Sequence, residues 1–225
     1  MATYDLEEQE QLAEIKAWWK LYGNLVVNAL TVAAVVVIAW QGWNWYQRSQ
    51  SGQAAMLYDV LQKVVYEKDV QRITAASGEL LEKFGGSDYA ALGALTAAKA
   101  MVEAGDGKTA KLKLLWVVEH SKHELRELAR LRLVALLLDE KAYDEALKQL
   151  DGKVSPAFAV RFAESRGDVL SAQGKKAEAV TAYQTALSDL ENADKAGDES
   201  ASQSQSNVIY RDLLQQKIDS LGGSK

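Results

Sequence analysis

The two histidines of the chain, His120 and His123, stand three apart with Glu119 and Glu124 beside them. Imidazole nitrogens and carboxylate oxygens are zinc ligands, and residues at i and i+3 share one side of a helix turn. A zinc site also needs a third ligand from a distant segment, and no motif spacing supplies one. These residue types are mostly exposed, so the group reads as a solvated loop. Gly107-Lys108-Thr109 has the ending of a phosphate-binding loop, whose glycine amides and lysine would cradle a nucleotide. Val102 occupies the place of the first glycine and no strand leads in, so the segment reads as a turn. Asp144 and Glu145 could share acid–base work, but adjacent carboxylates at a helix start are stabilised there by the dipole. No serine or threonine gains a neighbouring base by spacing. With no cysteine, thiol chemistry and disulfides are excluded while the compartment stays open. The sequence predicts no catalytic residue, no metal and no cofactor.

What the chain does have is apolar surface on helices. Residues 25–39 are almost entirely apolar, and no charge occurs between Lys20 and Arg48. In a bilayer such a segment must satisfy its own backbone hydrogen bonds, which selects a helix. Five of the six tryptophans bracket it, Trp18 and Trp19 before and Trp40, Trp43 and Trp45 after. A helix from Trp19 to Trp40 rises about 31 Å, matching a hydrocarbon core of roughly 30 Å with an aromatic belt at each face. The preceding tail is long and acidic, and Trp40-Gln41-Gly42-Trp43 offers no cleavage site, so the reading is an uncleaved anchor over residues 23–46 in contact with lipid. Lys16 and Lys20 precede the span while Arg48 and Lys63 follow it, so charge alone barely orients it. Asn24, Asn28 and Thr31 fall on roughly one face, either a contact with another transmembrane helix or polar residues tolerated near one end.

The net charge is −5, of which the tail through Tyr22 carries −3. The near-balanced remainder offers no basic patch, which excludes nucleic acid as a partner. Beyond residue 47 the chain is rich in alanine and leucine and holds one proline, a composition for helices.

Ala163, Gly167, Leu170, Gly174, Ala179, Tyr183 and Ala186 follow the small-and-large pattern of a tetratricopeptide repeat. Moving back 33 residues gives Val134, Leu137, Ala146 and Leu150, and a further 36 gives Ala94, Ala98, Met101, Gly105 and Ala110. Val60, Val64, Ala76 and Leu80 form a weaker echo another 34 upstream. Small residues belong where paired helix axes nearly touch, and glycine at the turn of each pair allows a left-handed cap. The middle repeat has Lys141 at that turn, which predicts a looser or differently shaped cap. The fold class is all-α, a single transmembrane helix followed by a tetratricopeptide-repeat-like α-solenoid with a C-terminal capping helix. Its parts are an acidic tail (1–22), the span (23–46), a degenerate helical pair (47–88), the repeats (89–191), a solvated, mobile polar linker (192–207) and the cap (208–225).

In such repeats the first helix of each pair lines the concave face. That places Leu92, Leu95, Val102, Leu128, Leu131 and Leu138 at an apolar end of a groove and Arg161, Glu164 and Asp168 at a charged end. An open apolar patch of that size marks a binding site. The alternative is a groove already filled, by the helices between residues 55 and 84 or by a second copy in a homo-oligomer.

The order of elements resembles the YfgM family, the ancillary subunit of the bacterial Sec translocon. An acidic tail, a span ending in Trp40-Gln-Gly-Trp-Asn-Trp-Tyr46, Asp88-Tyr89-Ala-Ala-Leu92 opening degenerate repeats and a closing Leu213-Leu214-Gln-Gln-Lys-Ile-Asp-Ser-Leu221 helix carry the likeness. The serine- and glutamine-rich stretch near Ser200 is longer than that pattern expects. The resemblance implies a single-pass inner-membrane protein with a cytoplasmic N-terminus and a periplasmic repeat domain. It implies partners in the Sec translocon and in a membrane-anchored periplasmic chaperone resembling a peptidyl-prolyl isomerase. A second reading is a regulatory scaffold whose acidic cytoplasmic tail sequesters a stress-response regulator.

Overall fold

The computed structural model describes residues 2–196 and 201–222, and every regular element among them is an α-helix. The chain divides into one unit through Gly52 and a second from Gln53 onward, and α1 (Ala2–Tyr66) runs across that division.

In the first unit most of the described apolar side chains of α1 are exposed. Leu30, Val35 and Ile38 are 65%, 60% and 70% exposed, whereas the core helix of a soluble domain would be covered. This is one helix long and apolar enough to cross a membrane. The aromatic residues associate along it, with ring centroids of Trp18 and Tyr22 5.8 Å apart and those of Trp43 and Tyr46 6.3 Å apart. The helix runs unbroken through Gly42 and Gly52, past the boundary between the expected span (23–46) and helical pair (47–88). A glycine inside a helix costs about 1 kcal/mol, and with no proline or cap following Gly42 or Gly52 the helix continues through both.

The second unit stacks helix pairs. The end of α1 shares the main core with α2 (Val70–Phe84), which packs on α3 (Asp88–Glu103); α3 pairs with α4 (Gly107–His120), α5 (His123–Asp139) with α6 (Tyr143–Gln149), and α7 (Pro156–Ala172) with α8 (Lys176–Ala196). A further helix, α9 (Ala201–Ser220), follows and packs on α8. Side chains start the helices where the sequence has capping residues. Asp69, Ser87 and Asp106 accept from the backbone N–H of Arg72, Ala90 and Thr109 at 3.0, 3.2 and 3.0 Å. Pro156 takes the first position of α7, where its missing N–H costs nothing.

Four turns between consecutive helices share one geometry, and the one at Lys68, φ +56°, bonds back to Val65 and, through Asp69, to Val64. Gly105 and Gly174 adopt φ of +80° and +79°, and their neighbours' amides reach back to Met101 and Leu170 carbonyls. Lys141, at φ +59°, makes the same pair of bonds, to Leu138 at 3.0 Å and, through Ala142, to Leu137 at 2.8 Å. The looser cap expected there is thus absent, because two backbone hydrogen bonds outweigh the strain of a left-handed lysine.

Glycine also sets the closest approaches. A Cβ on Gly167 would lie 2.4 Å from the Tyr183 ring, and one on Gly93 would lie 2.7 Å from Leu80. The core falls into two clusters, a larger one from Ala54 to Val169 and a smaller one where Leu214 and Ile218 of α9 meet Leu170, Ala179, Ala182, Tyr183 and Ala186. Only seven residues long, α6 leaves a connection to α7 that side chains hold down. Buried Glu127 accepts from the Ser155 amide at 2.7 Å and its hydroxyl at 2.6 Å, and Arg130 donates to the Gln149 carbonyl at 2.6 Å.

Helical structure reaches into both ends of the expected polar linker (192–207). Helix α8 persists to Ala196 and α9 resumes at Ala201, leaving residues 197–200 of the expected linker outside the described residues. Asp194 explains part of the difference, since it pairs with Arg211 and accepts from Asn207, each at 2.7 Å, and so ties the two helices.

Candidate binding surface

The residues expected to line one groove are distributed over separate places in the structure. Between α3 and α5, with Leu114 of α4 beneath, lies an open apolar cleft of about 430 Å³. Its walls are Ala98, Val102, Ala135 and Leu136, and Lys99, Glu103, Arg132 and Asp139 line it with charge of both signs. Val102, at 48% exposure, is the one residue of the expected groove that opens into it.

The other expected apolar positions lie elsewhere. Leu95 is buried at 3% exposure, and its carbonyl accepts from Arg132 Nη1 at 3.2 Å, which holds that guanidinium at the cleft. Leu128, Leu131 and Leu138 are half-buried against the main core. Leu92 lines a separate cleft of about 560 Å³ beside the turns before α3 and α5, with Asp88, His120, His123 and Glu124. A period of 3.6 identifies the face on which a residue sits, but the depth of a residue on that face depends on how closely the neighbouring helix approaches. Leu95 is the case in point.

The charged end is occupied. Lys217 of α9 lies between two carboxylates of α7, with Nζ 2.9 Å from Glu164 and 2.7 Å from Asp168. The Tyr183 hydroxyl donates to Asp168 at 2.7 Å, and that of Tyr210 donates to Glu164. Arg161 lies over the Tyr210 ring at 5.1 Å and Lys217 over the Tyr183 ring at 5.5 Å. Burial opposes the charge of Lys217, but the hydrogen bonds with Asp168 and Glu164 outweigh it and hold the ammonium above the usual lysine range. Burial and then the carboxylates of Asp168 and Glu164 push the phenols of Tyr183 and Tyr210 far above their ordinary value. The residue types at positions 161, 164 and 168 therefore serve a helix of the same chain. The sequence carried one hint, the basic Lys217 in the closing stretch of residues 213–221.

His120 is engaged in packing, while His123 is exposed. The ring of His120 stacks on Trp116 with centroids 4.5 Å apart, and its Nδ1 lies 2.9 Å from the Trp116 carbonyl. Among the described residues no group of three or more histidines and carboxylates is placed to hold a metal ion. On α1, Asn24, Asn28 and Thr31 are all exposed, and only Thr31 bonds within the helix, donating to the Val27 carbonyl at 2.8 Å.

A family model described as a tetratricopeptide repeat-like domain matches residues 16–223. A relative from Neisseria gonorrhoeae named ancillary SecYEG translocon subunit is 34% identical over 221 residues, covering 96% of this chain and 98% of its own length. The Escherichia coli K12 protein of the same name is 26% identical over 191 residues, or 83% of this chain and 90% of that protein. Among solved structures, MamA (41-end) from Desulfovibrio magneticus RS-1 superposes with a TM-score of 0.48 and 16% identity, over 75% of this chain and 94% of that one.

Proposed function

Because the chain belongs to the tetratricopeptide repeat-like family of ancillary SecYEG translocon subunits, we propose that it is a membrane-anchored adaptor that works at the Sec channel by protein contact. In this reading residues 23–46 cross the inner membrane, the acidic tail is cytoplasmic and the helix pairs stand in the periplasm. The cleft between α3 and α5 receives an apolar segment, either of an exported chain or of a membrane-anchored periplasmic chaperone resembling a peptidyl-prolyl isomerase. The observation that carries the proposal is the open, apolar cleft at Val102, the part of the concave surface not closed by α9. A patch rimmed by charges of both signs suits an apolar anchor flanked by polar residues.

The test is co-purification from membranes of the double variant Val102→Glu, Ala135→Glu. Both side chains are solvent-exposed, so the fold is expected to survive, as circular dichroism will verify. The proposal requires loss of the chaperone or exported chain while the helical signal stays unchanged. Undiminished recovery of those partners would contradict it.

A further inference from the structure

Between residues 24 and 40 the only amide or hydroxyl side chains are Asn24, Asn28 and Thr31, and they open a series spaced four and three apart that continues through Val35, Ile38 and Gly42. That alternation is the 3.5-residue repeat of two helices wound left-handedly about each other. On the helix as it stands, Asn24 and Asn28 are exposed and make no hydrogen bond with the chain, whereas the Thr31 hydroxyl is satisfied by Val27. Lipid tails offer an amide no partner, so two such groups seek one on another helix.

We infer that the partner is a second copy of this chain, with the seam of Asn24, Asn28, Thr31, Val35, Ile38 and Gly42 pairing against its own counterpart in a parallel dimer. This rests on the reading of residues 23–46 as a membrane span. An asparagine amide carries both donor and acceptor, so the same residue on the other helix completes both. Two copies insert in one orientation, which sets Asn28 against Asn28 at equal depth without any adjustment. Gly42 carries no side chain, so the two backbones can approach most closely at that end of the seam. Val26, Ala33 and Val37 lie on the opposite side and face lipid. The two acidic tails would repel, but only on the aqueous side, where salt screens charges beyond about 8 Å.

The full chain contains no cysteine, so single cysteines report on the span without background. In membranes containing the full-length protein, oxidation of Val35→Cys is expected to give at least five times the disulfide-linked dimer of Val37→Cys. Adding Asn28→Leu to Val35→Cys is expected to weaken association about tenfold. Equal yields at residues 35 and 37, an unchanged yield with Asn28→Leu, or a Val35→Cys adduct with a different protein in place of the dimer would each overturn the seam. Alkaline extraction of the same membranes separates the two claims. Protein that resists extraction yet forms no dimer refutes the seam alone, whereas release by alkali refutes the span and the seam together.

Discussion

Replacing Gly167 by alanine tests whether the final helix pair is held at the distance the structure gives. The new Cβ would stand 2.4 Å from Tyr183 Cε1 and 2.5 Å from Cδ1. Restoring ordinary contact requires the ring to retreat about 1.2 Å. Tyr183 has little room to move, being 3% exposed, with its hydroxyl bonded to Asp168 and Lys217 over its ring. Overpacking of this kind costs about 2 kcal/mol, and a lost hydrogen bond to a carboxylate adds about 1.5 kcal/mol. Alanine returns about 1 kcal/mol through helix propensity. The expected net loss is about 2.5 kcal/mol, read by urea unfolding of the full chain in detergent followed by circular dichroism. Gly78→Ala is the matched control, since it lies inside α2 with nothing within 4 Å of the added carbon and should stabilise by about 0.5–1 kcal/mol. If Gly167→Ala were as stable as the parent while Gly78→Ala behaved as stated, the close approach would be wrong.

Other consequences follow from particular side chains. Lys141→Gly removes a left-handed lysine from an intact cap and should raise stability by about 1 kcal/mol in the same assay. Glu127→Ala strands the amide and hydroxyl of Ser155 and should cost about 2 kcal/mol, with Glu127→Gln losing less because it keeps one acceptor. Raised pKa values at Lys217, Tyr183 and Tyr210 mean that the folded chain holds protons that the unfolded chain gives up first. Their contribution is therefore complete at neutral pH and is lost as pH climbs through and beyond about 10. Unfolding measured at pH 8 and pH 11 should show that fall, and Tyr183→Phe with Tyr210→Phe should flatten it.

The sequence made the pairing of helices readable wherever backbone geometry left a residue no choice. Gly105 and Gly174 stand at left-handed turns and Gly167 where two helices nearly touch, so their spacing marked the repeat. Lys141 broke that pattern in sequence and not in structure, because hydrogen bonds to the preceding turn tolerate a strained side chain. The site was less readable. Whether Leu95 is core and Val102 surface depends on how α5 crosses α3, and periodicity carries no crossing angle. Glu164 and Asp168 were placed at the charged end of a groove because a carboxylate gives no local sign that a lysine 49 or 53 positions later will reach it. The continuity of α1 through Gly52 was hidden for a related reason, since glycine lowers helix stability without forbidding the helix.

The central claim is that this chain is an anchored adaptor whose open cleft makes the contact. Photocrosslinking in intact membranes tests it most directly, with the probe placed at Val102 in the cleft and, for comparison, at Leu112, which is 67% exposed on α4 and does not line that cleft. The account predicts adducts with an exported chain or its chaperone from Val102 and few from Leu112. Adducts from Leu112 alone, or no adduct from Val102 in membranes active in export, would contradict it.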